Sequence, residues 1–95
     1  LLKQAPGALA RLREGTERAE RTLAALRRLL PPEVAEQTWG ASLKEGTLTV
    51  LVRSAAWGTR LRYLAPRLTG PLAAELALPI ERVKVKVRGP RGGAG

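Results

Sequence analysis

The sequence predicts an α+β fold, a three-stranded sheet covered on one face by helices, in the order helix, β-hairpin, helix, β-strand. Three observations predict it. Residues 39–53 alternate apolar and polar side chains on either side of Glu45-Gly46, as a hairpin does. Ser54 then opens a helical spacing, with Trp57, Leu61, Leu64 and Leu68 at intervals of four, three and four. Near the end, Val83, Val85 and Val87 alternate with Arg82, Lys84, Lys86 and Arg88, the cleanest strand pattern in the chain.

Taken in order, Pro6-Gly7 precedes an apolar stripe of Leu9, Leu12, Thr16, Ala19, Leu23, Leu26 and Leu30. Gly15 costs about 1 kcal/mol inside a helix, and Thr16 can cap a new one whose first turn holds Glu17 and Glu20 and whose last holds Arg27 and Arg28. The expectation is a short helix near 7–14 and a longer one near 17–30. The stripe is more economically used against a sheet than in a coiled-coil dimer, because a domain this small has few other core residues. Pro31-Pro32 ends the helix, and Pro32 can start one more turn, Glu33 to Gln37.

The hairpin register follows from its turn. With Glu45-Gly46 as a two-residue loop, Leu43 faces Leu48, Ala41 faces Val50 and Trp39 faces Val52, so one face is wholly apolar. The other face carries Ser42, Lys44, Thr47, Thr49, Arg53 and one misfit, Leu51. Trp39 and Trp57 are expected in the core. Pro66 is expected to kink or break the helix that starts at Ser54, and Gly70-Pro71 to punctuate it again before a last helical stretch, residues 72–78, stopped by Pro79. The domain organisation expected is an amino-terminal extension at 1–15, one α+β domain at 16–88 and a flexible Gly-rich tail at 89–95.

Composition narrows the function. The 95 residues contain neither cysteine nor histidine, which removes disulfides, thiolate chemistry, the usual acid-base group and the ligands of a tetrahedral zinc site. All acids are glutamates, scattered rather than paired, and Gly89-Pro90-Arg91-Gly92-Gly93 lacks the lysine and spacing of a phosphate-binding loop. A non-enzymatic binding module without cofactor, metal or small-molecule substrate is expected. The lack of cysteine makes the cytoplasm the expected location, no apolar run reaches the ~20 residues of a membrane span, and from a start at Leu1-Leu2-Lys3 without methionine or signal pattern a fragment or a single domain is expected.

Seventeen Lys and Arg against eight Glu give a net charge of +9. The excess is concentrated from residue 48 onward, where nine basic residues face two glutamates. This points to a polyanion, most often nucleic acid, with an anionic membrane surface the lesser option and mere solubility the plainer alternative. If the last strand joins the hairpin with its valines inward, Lys84, Lys86 and Arg88 share the outer face with Arg53 and Lys44, beside small threonines. Such a row can follow a phosphate backbone. Arg60 and Arg62, with Tyr63 and Arg67, form a second patch on the helix. The candidate nucleic-acid-binding residues are therefore Lys44, Arg53, Arg60, Arg62, Lys84, Lys86 and Arg88. With few aromatic residues, binding is expected to be salt-sensitive and tolerant of sequence.

The run Glu45-Gly46-Thr47-Leu48-Thr49-Val50, then Ser54-Ala55-Ala56-Trp57 and Leu61-Arg62-Tyr63-Leu64, with a terminal basic-apolar strand, resembles the DciA family of bacterial replicative-helicase loaders. Its signature is Gly-x-Leu-x-Val followed by Ser-x-x-Trp-x-x-x-Leu, and the likeness covers roughly residues 16–88. The resemblance implies a fold like the K-homology domain, a role in bringing the hexameric replicative helicase to origin DNA, affinity for single-stranded or fork-like DNA, and a place at the nucleoid. Two departures bear on function. No Gly-x-x-Gly loop lies between the helices, so the nucleotide clamp of K-homology domains does not carry over. Many members also continue into a disordered tail or extra helicase-contacting segments, which are expected to be absent here. The competing readings are a stand-alone single-stranded DNA- or RNA-binding domain without a helicase partner, and a protein-interaction helix built on the leucine stripe.

Overall fold

Six elements follow one another: α1 (Gln4–Leu29), α2 (Pro32–Gln37), β1 (Thr38–Lys44), β2 (Thr47–Val52), α3 (Ala55–Leu76) and β3 (Arg82–Val87). The structure, a computed structural model, describes the backbone of residues 4–88 and the side chains of residues 15–88. The expected tail at 89–95, and the side chains of Leu9 and Leu12 in the amino-terminal stripe, lie outside these. The sheet order is β1-β2-β3, antiparallel between β1 and β2 and parallel between β2 and β3. A parallel neighbour needs a crossover of a dozen residues or more, and α3 is that crossover. The α+β architecture expected from the sequence is the one observed, and it is compatible with a small K-homology-like domain.

The expected break near Gly15 does not occur, because α1 continues through it. A Cβ at Gly15 would meet nothing within 4 Å, so the position faces open space, and its cost of about 1 kcal/mol is a propensity cost that a long helix absorbs. Among the described side chains, α1 contributes Thr22, Ala25 and Leu26 to the core, with Leu30 just past its end, while Thr16 is exposed. The Thr22 hydroxyl donates back to the Arg18 carbonyl at 2.8 Å, which satisfies it where it is buried. Arg27 ties the next elements to α1: its Nε donates to the carbonyls of Ala35 at 3.2 Å and Thr38 at 3.1 Å. Pro32 occupies the first turn of α2, as its fixed φ allows.

The two-residue turn stands as expected. Glu45 and Gly46 both have positive φ, 51° and 80°, the geometry that matches the twist of a hairpin. Leu43 pairs with Leu48 and Ala41 with Val50. The pairing of Trp39 with Val52 is corrected: the register shifts between Thr38 and Gly40, and Thr38 takes the place opposite Val52. Thr38 is fully buried there, its hydroxyl donating to the Val34 carbonyl at 2.9 Å. One extra residue in β1 thus moves Trp39 out of the core, where it is only half-buried.

Leu48, Val50 and Val52 form the buried centre of the sheet, with Val83 and Val85 beside them. Leu61 and Leu72 of α3 pack onto this face, and Trp57, Leu64 and Leu68 cover its margin. Trp57 is therefore at the edge of the core, half-buried, with the Arg60 guanidinium 5.8 Å from its ring centroid. Gly58 makes the close approach: a Cβ there would stand 3.4–3.5 Å from Val85, Val52 and Val87. Ser54 holds the N-cap position with extended backbone, and its carbonyl accepts the Gly58 N–H at 3.0 Å, but its hydroxyl makes no capping bond.

The interruption expected at Pro66 and Gly70-Pro71 is also corrected, since α3 runs unbroken through both prolines. Each proline withholds one hydrogen bond, from the carbonyls of Arg62 and Arg67. Arg62, Pro66, Arg67 and Pro71 are all exposed, so the hydrogen-bond ladder is interrupted on the solvent side and the packed side of the helix is undisturbed. The helix ends at Ala77 in the left-handed conformation, with Leu78 N–H reaching the Ala73 carbonyl at 3.1 Å. An ion pair between Arg28 and Glu75 joins α1 to this end of α3.

Candidate nucleic-acid interface

The strand register sorts the basic residues. Because side chains alternate faces along a strand, Thr47, Thr49 and Leu51 point away from the core on β2, and Arg82, Lys84 and Lys86 do so on β3. Across the sheet they form rows: Lys44 with Thr47 and Arg82, Ser42 with Thr49 and Lys84, and Gly40 with Leu51 and Lys86. The ladder continues past the strand ends, where Arg88 N–H donates to the Val52 carbonyl at 2.8 Å and Arg53 N–H to that of Gln37 at 3.1 Å. Arg53 and Arg88 therefore extend the same outer face. All six of these basic side chains are exposed, and the ion pair found among the described residues, Arg28–Glu75, lies elsewhere.

Of the expected site residues, the fold thus brings together Lys44, Arg53, Lys84, Lys86 and Arg88, and adds Arg82. The alternation of the last strand already placed Arg82 in this row. Arg60 and Arg62 are exposed on α3, in the layer that covers the other side of the sheet. Arg62 borders a shallow groove with Pro66, Thr69 and Arg82 along the β3 edge. Nearby Tyr63 is the most exposed large hydrophobic residue described, at 85%. These form a second basic patch on α3, which adjoins Arg82 of the sheet face at the β3 edge.

The outer face is not uniformly polar. Leu51, the misfit of the hairpin pattern, lies over Gly40: a Cβ on Gly40 would come within 2.8 Å of Leu51 Cδ1. Beside them Trp39 projects onto the outer face, and its indole N–H reaches the carbonyl of Arg88 beyond β3. Alternation alone missed this aromatic group, since a bulge is invisible to a period of two. Residues Ala19, Glu20 and Leu23 of α1 stand along the β1 side, so that a cleft of about 370 Å³ opens between α1 and the outer sheet face.

Catalytic groups do not converge here. Among the described residues, no cluster of acidic side chains could hold a metal ion, and no helix is long and apolar enough to cross a membrane. What the arrangement offers is a rigid row of cations on one edge strand, small hydroxylated residues beside it, and an aromatic-lined cleft along the opposite side. Compared with known families, residues 1–85 match the family model described as Dna[CI] antecedent, DciA. No curated protein matches the chain.

Proposed function

The chain belongs to the DciA family, and on that premise we propose that it is a replication adaptor which binds DNA through the outer face of its sheet while helping to load the hexameric replicative helicase. A helicase-loading role in bacterial replication, with the replicative helicase as partner, comes with the family, which is one of loaders rather than enzymes. DNA as the direct ligand of this chain is our reading. The observation that carries it is the row of Arg82, Lys84, Lys86 and Arg88 along one edge strand, joined across the sheet by Arg53 just past β2 and Lys44 at the end of β1.

Successive residues on one face of a strand are about 6.6 Å apart, so β3 offers a ladder of positive charge along which a flexible strand can be neutralised phosphate by phosphate. Such contacts fix position and carry no sequence information. Arg60 and Arg62 on α3 make a second contact that suits a fork, where two DNA arms leave in different directions. Both patches lie within residues 16–88. The proposed place of action is the nucleoid.

The test joins the two halves of the proposal. Immobilised full-length protein is expected to retain the replicative helicase of the same organism, and fluorescence anisotropy to show binding of single-stranded and forked DNA that weakens steeply with salt. Absence of helicase retention would leave a nucleic-acid-binding domain without that partner. Affinity indifferent to salt would remove the basic face from the mechanism.

A further inference from the structure

We propose that the cleft between α1 and the outer sheet face is a stacking site for one unpaired base of single-stranded DNA, with Trp39 as its aromatic wall. The inference rests on the outer face being the DNA-binding surface and specifies how a strand would lie on it. Three observations carry it.

The first is the cleft itself, about 370 Å³ and lined by Ala19, Glu20, Leu23, Trp39, Gly40 and Leu51 among others. That is within the range of small-ligand sites, roughly 300–1,000 Å³. Its floor is apolar, because Gly40 has no side chain and Leu51 settles over it.

The second is the state of Trp39. Its N–H is already committed to the Arg88 carbonyl, so the indole has no donor left to read a base edge and offers only its π surface. The same bond ties the ring to the end of the cationic strand. An aromatic side chain held in place stacks on a base without first paying to be ordered.

The third is the distribution of charge. Lys84 and Lys86 lie on β3, one strand beyond Thr49 and Leu51, and neighbouring strands are about 4.8 Å apart. On the opposite side of the cleft stands Glu20. Phosphates are drawn to the cations of β3, and Glu20, the one charged side chain among the described residues lining the cleft, disfavours them inside it, which directs the sugar-phosphate backbone along β3 and the base inward toward Trp39. A duplex keeps its bases paired and stacked, so only an unpaired strand gains from the cleft.

The experiment uses the whole chain carrying Trp57→Phe, which leaves Trp39 as the sole tryptophan of the two in the sequence. It is titrated with a thymidine oligomer of about 20 nucleotides and with an abasic strand of the same length and charge. The expected result is quenching of Trp39 fluorescence by the thymidine strand alone and an affinity roughly tenfold higher than for the abasic strand. Trp39→Leu removes that preference. Ala19→Leu fills the cleft from α1 with a group that cannot stack and brings the thymidine affinity down to the abasic value, which keeps the test intact if Trp39→Leu does not fold. Equal, salt-dependent affinity for both strands without quenching overturns the stacking site and leaves the basic face standing. Failure of both strands to bind overturns the face and the stacking site together.

Discussion

The triple substitution Lys84→Thr, Lys86→Thr and Arg88→Thr separates a DNA-binding face from a merely solvated one. Threonine suits a strand, and all three positions are exposed, so each change should alter stability by no more than about 0.5 kcal/mol. The effect on binding is much larger. For single strands the logarithm of the affinity falls with the logarithm of salt concentration by about 0.7 for each phosphate neutralised. If all six outer-face cations engage, the slope is near −4, and the three that survive substitution leave about −2. Between about 50 and 200 mM salt the parent protein then loses roughly 300-fold in affinity and the variant roughly 20-fold. Anisotropy titrations of a labelled single strand at four or five salt concentrations measure both slopes, with a thermal melt of each protein as the folding control. An unchanged slope in a folded variant would refute the assignment of this face.

Replacing Arg60 and Arg62 by serine should leave short single strands bound as before but reduce the salt slope on a forked substrate by about 1.5, since the second arm loses two cations; comparing the two substrates by anisotropy checks this. Gly46→Ala places a Cβ at φ 80° and within 3.1–3.2 Å of the Glu81 side chain, and should cost about 1–2 kcal/mol, a fall of roughly 5–15 °C in Tm. Ala77→Gly should do the reverse, because Ala77 already holds the left-handed helix-end conformation at φ 57°; a gain of about 0.5–1 kcal/mol in urea unfolding is expected. Thr38→Val keeps the shape of a fully buried side chain but leaves the Val34 carbonyl without its hydroxyl donor, and denaturant unfolding should register a loss of about 1–3 kcal/mol.

The parts of this fold that sequence periodicity reveals are those where one local rule acts alone. The Glu45-Gly46 turn sets the hairpin register because a slip by one residue would expose Leu48 and Val50, and the alternation from Arg82 to Arg88 reads directly as a two-faced strand. The errors arise where a tertiary contact outweighs the local rule. Gly15 and Pro66 are poor helix residues, yet both lie on exposed sides of their helices, where nothing is lost from the core. Trp39 is the instructive case for the site. Counted by twos from Ala41 it faces inward, but the inner position goes to Thr38, whose hydroxyl can be satisfied by Val34 and whose size fits opposite Val52. The bulge that results supplies the aromatic group that composition made appear to be lacking from the basic face. Neither the parallel direction of β3 nor the wall formed by α1 has a signature in the order of residues, since both depend on how long helices cross the sheet.

The parallel docking of β3 also determines when the cationic face comes into being. Gly46 sits in the hairpin turn, and its carbonyl accepts the N–H groups of both Glu81 at 2.7 Å and Arg82 at 3.1 Å; these contacts join residues separated by the whole of α3. Pairings so distant in sequence cost more chain entropy to close than the local turn of the hairpin. Arg82, Lys84, Lys86 and Arg88 are therefore aligned with Lys44 and Arg53 only once the hairpin, the crossover helix and the last described strand have come together. A partly folded chain carries the same charge but presents no ladder, so the capacity to hold a DNA strand in register is itself a report that the domain has closed.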